Sequence, residues 1–333
     1  MPRWSPFRLI SPAGAAGRLS TFIFHRVLPQ PDPLLPDEPD VQQFERIVAF
    51  LGRHFTVLPL SQAAARLRDG RLPAAAACIT FDDGYADNYT QAAPILQRHG
   101  LCATFFIATG YIDGGRMWND TVIEALRTLP AGRVDWQAHG AGAWHIGGPS
   151  DSAGAASRVR AYSAALKQLK HLDPPQRQHA AQAIGQSAGL PAHSSLMMTH
   201  QQVRGLHAMG MEIGGHTISH PILRRLDAAQ ARHEIGAGRE QLAAWIGEAP
   251  QVFAYPNGVP GQDYDQRDVD LVRAVGFAAA VSTAKGVATR GCDRLQLPRF
   301  TPWDQPMPRF ALRCAANLVQ GGRPSVAPGA RTA

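Results

Sequence analysis

Lysine is nearly absent from this chain. Only Lys167, Lys170 and Lys285 occur, so the rest of its 33 basic side chains are arginine, and the net charge of +7 is not gathered into a block of like charges. With no such block and no recognisable nucleic-acid-binding motif, no nucleic-acid partner is expected. Cysteine is scarce too. Cys78, Cys102, Cys292 and Cys314 contain no C-x-x-C pair, so cysteine-based metal or redox motifs are excluded and a disulfide framework has little support. Cys78 and Cys102 fall within apolar segments and read as small buried residues. No run approaches the ~18 apolar residues of a membrane-spanning helix. The segment Met1 to Ser20 carries three arginines but is broken by Pro2, Pro6 and Pro12. It lacks the continuous apolar core of a secretory signal, and a cytoplasmic location is the expectation.

What is present is a chain able to bury a large core, with 333 residues of which 45% are hydrophobic. Leu19–Phe24 reads as a short strand ending at His25-Arg26. Helical spacing follows over Val41–Phe55 and Ser61–Leu67, then a strand over Ala74–Ile79, a helix over Asp87–His99 and a strand over Cys102–Thr109. Strand alternating with helix predicts parallel β-α units. The rhythm loosens between about 110 and 198, where Gly and Ala abound and two helices (157–172, 175–188) come with no strand between them. This stretch reads as an insertion into the scaffold and not as a separate domain. Alternation then resumes, with strands predicted at 211–215, 251–255, 277–282 and 295–300 and helices at 199–209, 227–246 and 266–274. About seven strands in series predict an α/β fold closed or nearly closed into a barrel, with its chemistry at the C-terminal strand ends. The expected organisation is an N-terminal extension over 1–18, the barrel with its insertion over 19–315, and a disordered Gly/Pro/Ala-rich tail over 316–333.

Two motifs carry the chemistry. In Ile79-Thr80-Phe81-Asp82-Asp83-Gly84-Tyr85, adjacent carboxylates end an apolar strand and meet a glycine. Such neighbours resist ionising together unless a cation or hydrogen bonds hold them. A metal on one would free the other to act as a base. The second motif, Gly214-Gly215-His216-Thr217-Ile218-Ser219-His220-Pro221, follows the apolar strand Met211–Ile213. On a barrel, both motifs occupy one rim, and one carboxylate with two imidazoles makes a His₂-carboxylate site suited to zinc or another divalent transition metal.

T-F-D-D-G-Y followed by H-T-x-S-H resembles the polysaccharide deacetylases of the NodB-homology type, carbohydrate esterases with a distorted (β/α) barrel. The similarity runs from F-H-R-V at Phe24 to the P-R-F strand at Phe300. The resemblance implies a distorted (β/α)7-type barrel with Asp82 as catalytic base and Asp83, His216 and His220 as ligands of a divalent metal, zinc first, with cobalt, nickel or iron as alternatives. It also implies an N-acetylated glycan as substrate, attacked by a metal-bound water. The family's third motif normally has Arg, then Pro, an aromatic and Gly; here it reads Phe253-Ala254-Tyr255-Pro256-Asn257-Gly258. Ala254 stands where the base-orienting arginine is expected, and Asn257 where a backbone N–H serves as oxyanion donor. The F-A-Y-P-x-G form resembles the branch acting on poly-N-acetylglucosamine and related exopolysaccharides.

The fourth and fifth motifs are not found. In their region stands Leu297-Pro298-Arg299-Phe300-Thr301-Pro302-Trp303, and Arg299 is the candidate replacement for the missing arginine. His25, at the end of the first strand, is the candidate acid. Tyr85, Tyr255, Trp118 and Trp303 are candidate platforms for a sugar ring, with Trp118 opening the insertion. Two other readings stay open: a glycan-binding module with weak or no catalysis, and a barrel amidohydrolase for a small non-sugar amide. Action on surface glycans also stays open, since relatives of this type act there.

Overall fold

Leu19–Phe24 (β1) and Ala76–Phe81 (β3) are apolar or small at nearly every position and buried at all six positions each. That pattern marks parallel strands covered on both faces, where an alternating strand would leave one face wet. In the computed structural model, which describes residues 5–148, 151–301, 306–320 and 326, Thr56–Val57 (β2) pairs with the start of β3. The other strands of this sheet are Thr104–Ile107 (β4), Glu212–Gly215 (β7), Val252–Ala254 (β8), Ala279–Lys285 (β9) and Leu297–Arg299 (β10). They run in the order β1-β3-β4-β7-β8-β9-β10, every pair parallel. Just past β10 the sheet returns to its first strand: Ile23 donates to the Phe300 carbonyl at 3.1 Å and Phe300 to the Thr21 carbonyl at 2.7 Å. The seven strands therefore form a nearly closed barrel, as the sequence rhythm predicts.

Local chemistry fixes the helices that wrap it. Helix Val41–His54 begins at Asp40, whose carboxylate accepts from the Gln43 N–H at 2.7 Å. It turns Phe44, Ile47, Val48 and Leu51 inward at i, i+3, i+4 and i+7, each at most 1% exposed. Each such burial contributes roughly 1.5–3 kcal/mol before entropy is counted. Helix Ala228–Ile246 opens with a reciprocal cap between Asp227 and Gln230 and stops at Gly247, whose φ of 83° suits glycine. Phe24, Phe44, Phe81 and Phe105 meet in the core, with Phe81 and Phe105 stacked at 4.8 Å between ring centroids.

Two expectations are adjusted at the C-terminal end. The last strand is Leu297–Arg299, shorter than the predicted 295–300, and its register against β9 shifts between Leu297 and Arg299. Residues 316–320, placed in the tail, complete the helix Met307–Gln320, which buries Phe310, Cys314 and Leu318; of residues 321–333, only 326 is described. All four cysteines are free. Among the described residues, no helix is long and apolar enough to cross a membrane.

The insertion is compact in its own right. Residues 114–197, joined by 30–38, form a compact unit with its own apolar cluster, including Val122, Leu126, Ile146, Leu169 and Ile184. It contains helices Trp118–Thr128, Ser152–Leu169 and Pro174–Ser187 and an antiparallel hairpin, Gly132–Asp135 (β5) with Ala143–Ile146 (β6). The hairpin escaped prediction because its strands are four residues each and half exposed. Arg158, fully buried, ties this unit together by donating to the carbonyls of Leu126, Leu129 and Gly147.

Candidate active site

Five strand ends supply the polar residues of one rim: His25 after β1, Asp82 and Asp83 after β3, His216 after β7, Asn257 beyond β8 and Arg299 on β10. Asp82 is 3% exposed and Arg299 2%. Their side chains meet in a bidentate pair, Nη1 to Oδ1 at 2.7 Å and Nη2 to Oδ2 at 2.8 Å. Arg299 Nε donates to the Ser282 carbonyl at 2.9 Å, which fixes the plane of the fork. Burial alone would raise the Asp82 pKa, but the guanidinium and nearby His216 hold it below the ordinary carboxylate value.

Asp83 is set by an unusual backbone. Its φ is 77°, a left-handed conformation uncommon for a residue other than glycine, and Gly84 follows at 96°. The Asp83 Oδ1 atom lies 3.4 Å from His216 Nε2 and 3.5 Å from His220 Nε2. The three ligand atoms all fall within 4.8 Å of one another. Asp83 Oδ1 is buried and has no hydrogen-bond partner among the described residues. Such an orphan costs free energy unless a cation or solvent satisfies it, so the donor set fits a divalent metal. His216 supports this reading from its other side. Its Nδ1 lies 2.7 Å from the Ala254 carbonyl, and because a carbonyl only accepts, Nδ1 bears the proton and Nε2 keeps its lone pair for a ligand bond.

Electrostatics separates the two imidazoles. Burial pushes His220 down to about 4. His216 would follow, but the Asp83 and Asp82 carboxylates raise it above the ordinary value. Burial opposes ionisation of Asp83, yet His216, His220 and His25 together keep it well below the carboxylate range. His25 follows β1 on the same rim and interacts electrostatically with Asp82 and His220.

The turn after β8 survives the loss of its usual residues. Asn257 sits at φ 59°, its carbonyl accepts from Thr283 Oγ1 at 3.0 Å, and its N–H donates to no group among the described residues. Tyr255 does not serve as a sugar platform. It is 1% exposed, lies face to face on Tyr264 at 3.8 Å, and its hydroxyl donates to the Leu295 carbonyl. No ring face is left for a ligand. Tyr85 is buried under the Arg26 guanidinium. Trp118 belongs to the second unit, where Arg177 lies over its ring at 5.1 Å, and Trp303 falls outside the described residues. Sequence reasoning missed two carboxylates. Asp87 binds Arg26 Nε and the Val27 N–H behind His25, and Glu234 binds the loop between the two histidines. Glu234 sits in a polar helix whose pattern gives no hint of a long-range partner.

A family profile described as "Polysaccharide deacetylase" matches residues 69–280. YxkH of Bacillus subtilis (strain 168), named as a polysaccharide deacetylase, is 20% identical over 249 residues, 74% of this chain. The chain spans 59% of the length of that relative in the match. Among solved structures, the Streptococcus pyogenes deacetylase PplD in complex with acetate shares the fold at a TM-score of 0.59 and 16% identity, covering 90% of this chain and 98% of that one. IcaB from Ammonifex degensii does so at 0.58 and 17%, covering 93% and 98%. With the profile extending over more than half of its length and including both carboxylate and histidine motifs, this chain belongs to the polysaccharide deacetylase family.

Proposed function

We propose that the protein removes N-acetyl groups from N-acetylated sugars of an exopolysaccharide or its oligomers, using a divalent metal, zinc first, held by Asp83, His216 and His220. The observation that carries this reading is an ion-paired carboxylate beside an orphaned one: Asp82, locked by Arg299, next to the unpartnered Asp83 Oδ1 facing two imidazoles. A cation there would supply Lewis acidity to the acetamide carbonyl and to the attacking water. Asp82 accepts the proton of that water, and Arg299 keeps it charged and aligned for the task. The Asn257 N–H donates to the carbonyl oxygen as it gains charge. His25 delivers a proton to the departing nitrogen, so that acetate and a free amino sugar result.

The test is acetate release from poly-N-acetylglucosamine fragments and chitooligomers, compared with small non-sugar amides. Metal-dependent release from the glycans alone supports the reading. Release from small amides alone makes the protein an amidohydrolase of another kind, and uptake of glycan with no acetate makes it a binding module.

A further inference from the structure

The loop between the two histidines is held in a conformation its own sequence disfavours. Thr217 has φ 66° and His220 φ 53°. A β-branched residue in the left-handed region is an outlier, and such a conformation persists only where its surroundings over-determine it. Between them, the consecutive N–H groups of Ile218 and Ser219 point the same way and form a small anion-binding concavity. Glu234 fills it. Its Oε2 accepts from both N–H groups at 2.9 Å, and its Oε1 accepts from the Ser219 hydroxyl at 2.6 Å.

The helix carrying Glu234 is shaped for this approach. Gly238, one turn on, faces the same loop, and a Cβ there would stand 3.1 Å from the Thr217 carbonyl oxygen. On the other side, Thr109 and Gly110 donate to the carbonyls of Thr217 and Ile218 at 3.2 and 2.9 Å, and Tyr111 Oη donates to that of Ser219 at 2.9 Å. Inside the loop, Thr217 Oγ1 accepts from the His220 N–H at 3.1 Å. The side after β4 thus binds the loop's carbonyls, and Glu234 alone among the described residues receives the N–H groups of 218 and 219.

We infer that Glu234 is a positioning residue for the metal site: its carboxylate, held between the Ile218 and Ser219 N–H groups, sets the strained loop that aims His220 at Asp83. The inference rests on the metal reading given above. It assigns Glu234 a geometric task rather than an electrostatic one. A glutamine could keep its oxygen on both N–H groups while its amide donates to Ser219 Oγ, whereas alanine loses all three bonds.

Zinc affinity is measured by chelator competition on the full chain, and the visible spectrum of the cobalt-substituted protein reports the ligand geometry. A wild-type chain that takes up neither metal overturns the metal reading and this inference with it. Given wild-type uptake, Glu234→Ala is expected to weaken zinc by about 10–100-fold, as losing a partner behind a metal ligand does, and to alter the cobalt spectrum. Glu234→Gln is expected to restore both to within about tenfold of wild type. Wild-type affinity in Glu234→Ala overturns the inference; so does a glutamine variant as weak as alanine, because charge and not geometry would then be acting. Should Glu234→Ala fail to fold, Glu234→Asp decides, because it keeps the charge but withdraws the carboxylate from the Ile218 and Ser219 N–H groups by one methylene. Weakened zinc with an unchanged melting temperature of the metal-free protein supports the role, and unchanged affinity refutes it.

Discussion

Replacing Arg299 by methionine tests the arrangement of the base directly. The substitution keeps an unbranched side chain of similar reach but removes two hydrogen bonds of 2.7 and 2.8 Å from a carboxylate that is 3% exposed. Breaking one half of a buried ion pair costs about 3–5 kcal/mol, because the remaining charge stays desolvated. For a chain of this size, roughly 2 °C of melting temperature accompany each kcal/mol, so a fall on the order of 6–10 °C is expected. Asp82 has a second way to respond. Burial already pushes its pKa up and Arg299 is the main opposing influence, so in the variant the carboxyl protonates at higher pH. Each pKa unit accounts for about 1.4 kcal/mol. The acid limb of kcat/KM should therefore move to higher pH, with activity lost at neutrality and partly regained in alkaline buffer. A variant whose acid limb stays at the wild-type pH refutes the claim that Arg299 keeps Asp82 ionised, even if the melting temperature falls.

Asp82→Asn should retain stoichiometric metal and lose turnover by about 10²-fold or more, the range for a positioned acid or base; a wild-type rate would remove Asp82 from the reaction. His216→Ala and His220→Ala should each lower metal content, read by elemental analysis after dialysis, and full occupancy in either would refute the ligand set. Protons should compete for the metal chiefly at His216, whose pKa the two carboxylates raise against its burial, and at His220 only as pH approaches about 4. Apparent metal affinity should thus fall about tenfold per pH unit between the raised His216 pKa and the depressed one of His220, and a hundredfold slope there would contradict the assignment. Tyr255→Phe leaves the Leu295 carbonyl without its donor and should cost about 1–3 kcal/mol with KM unchanged; a raised KM would return Tyr255 to the substrate.

The barrel and the convergence of Asp83, His216 and His220 were legible because both rest on short-range signals. Apolar runs of strand length ending in Asp82-Asp83 and His216 put those side chains at strand ends, and strand ends in a parallel barrel share a rim. Arg299 was accessible to the same logic, since it ends an apolar strand. The aromatic platforms were not, because a tyrosine in sequence carries no sign of its neighbour: Tyr255 lies on Tyr264 and cannot reach a ligand. Glu234 was hidden for a related reason. Its partners lie 15 and 16 residues earlier across a helix-to-loop contact, and nothing local separates it from the other polar residues of its helix. The close packing of the second unit was not legible because Gly- and Ala-rich stretches suggest looseness. In fact alanines such as Ala125, Ala161 and Ala165 let its helices pack closely.

The barrel's seam has a consequence for when the protein becomes active. Arg299 stands one residue before Phe300, whose hydrogen bonds join the last strand to β1, and Asp82 ends β3 on the far side of β1. The ion pair therefore spans the line along which the sheet shuts. During synthesis every proposed metal ligand has been made by residue 220, yet Asp82, the proposed base, has no counter-charge until residue 299 emerges and docks. Metal uptake and hydrolysis should accordingly be separable milestones in the life of the chain, and catalytic competence becomes a report that the final strand has found its place.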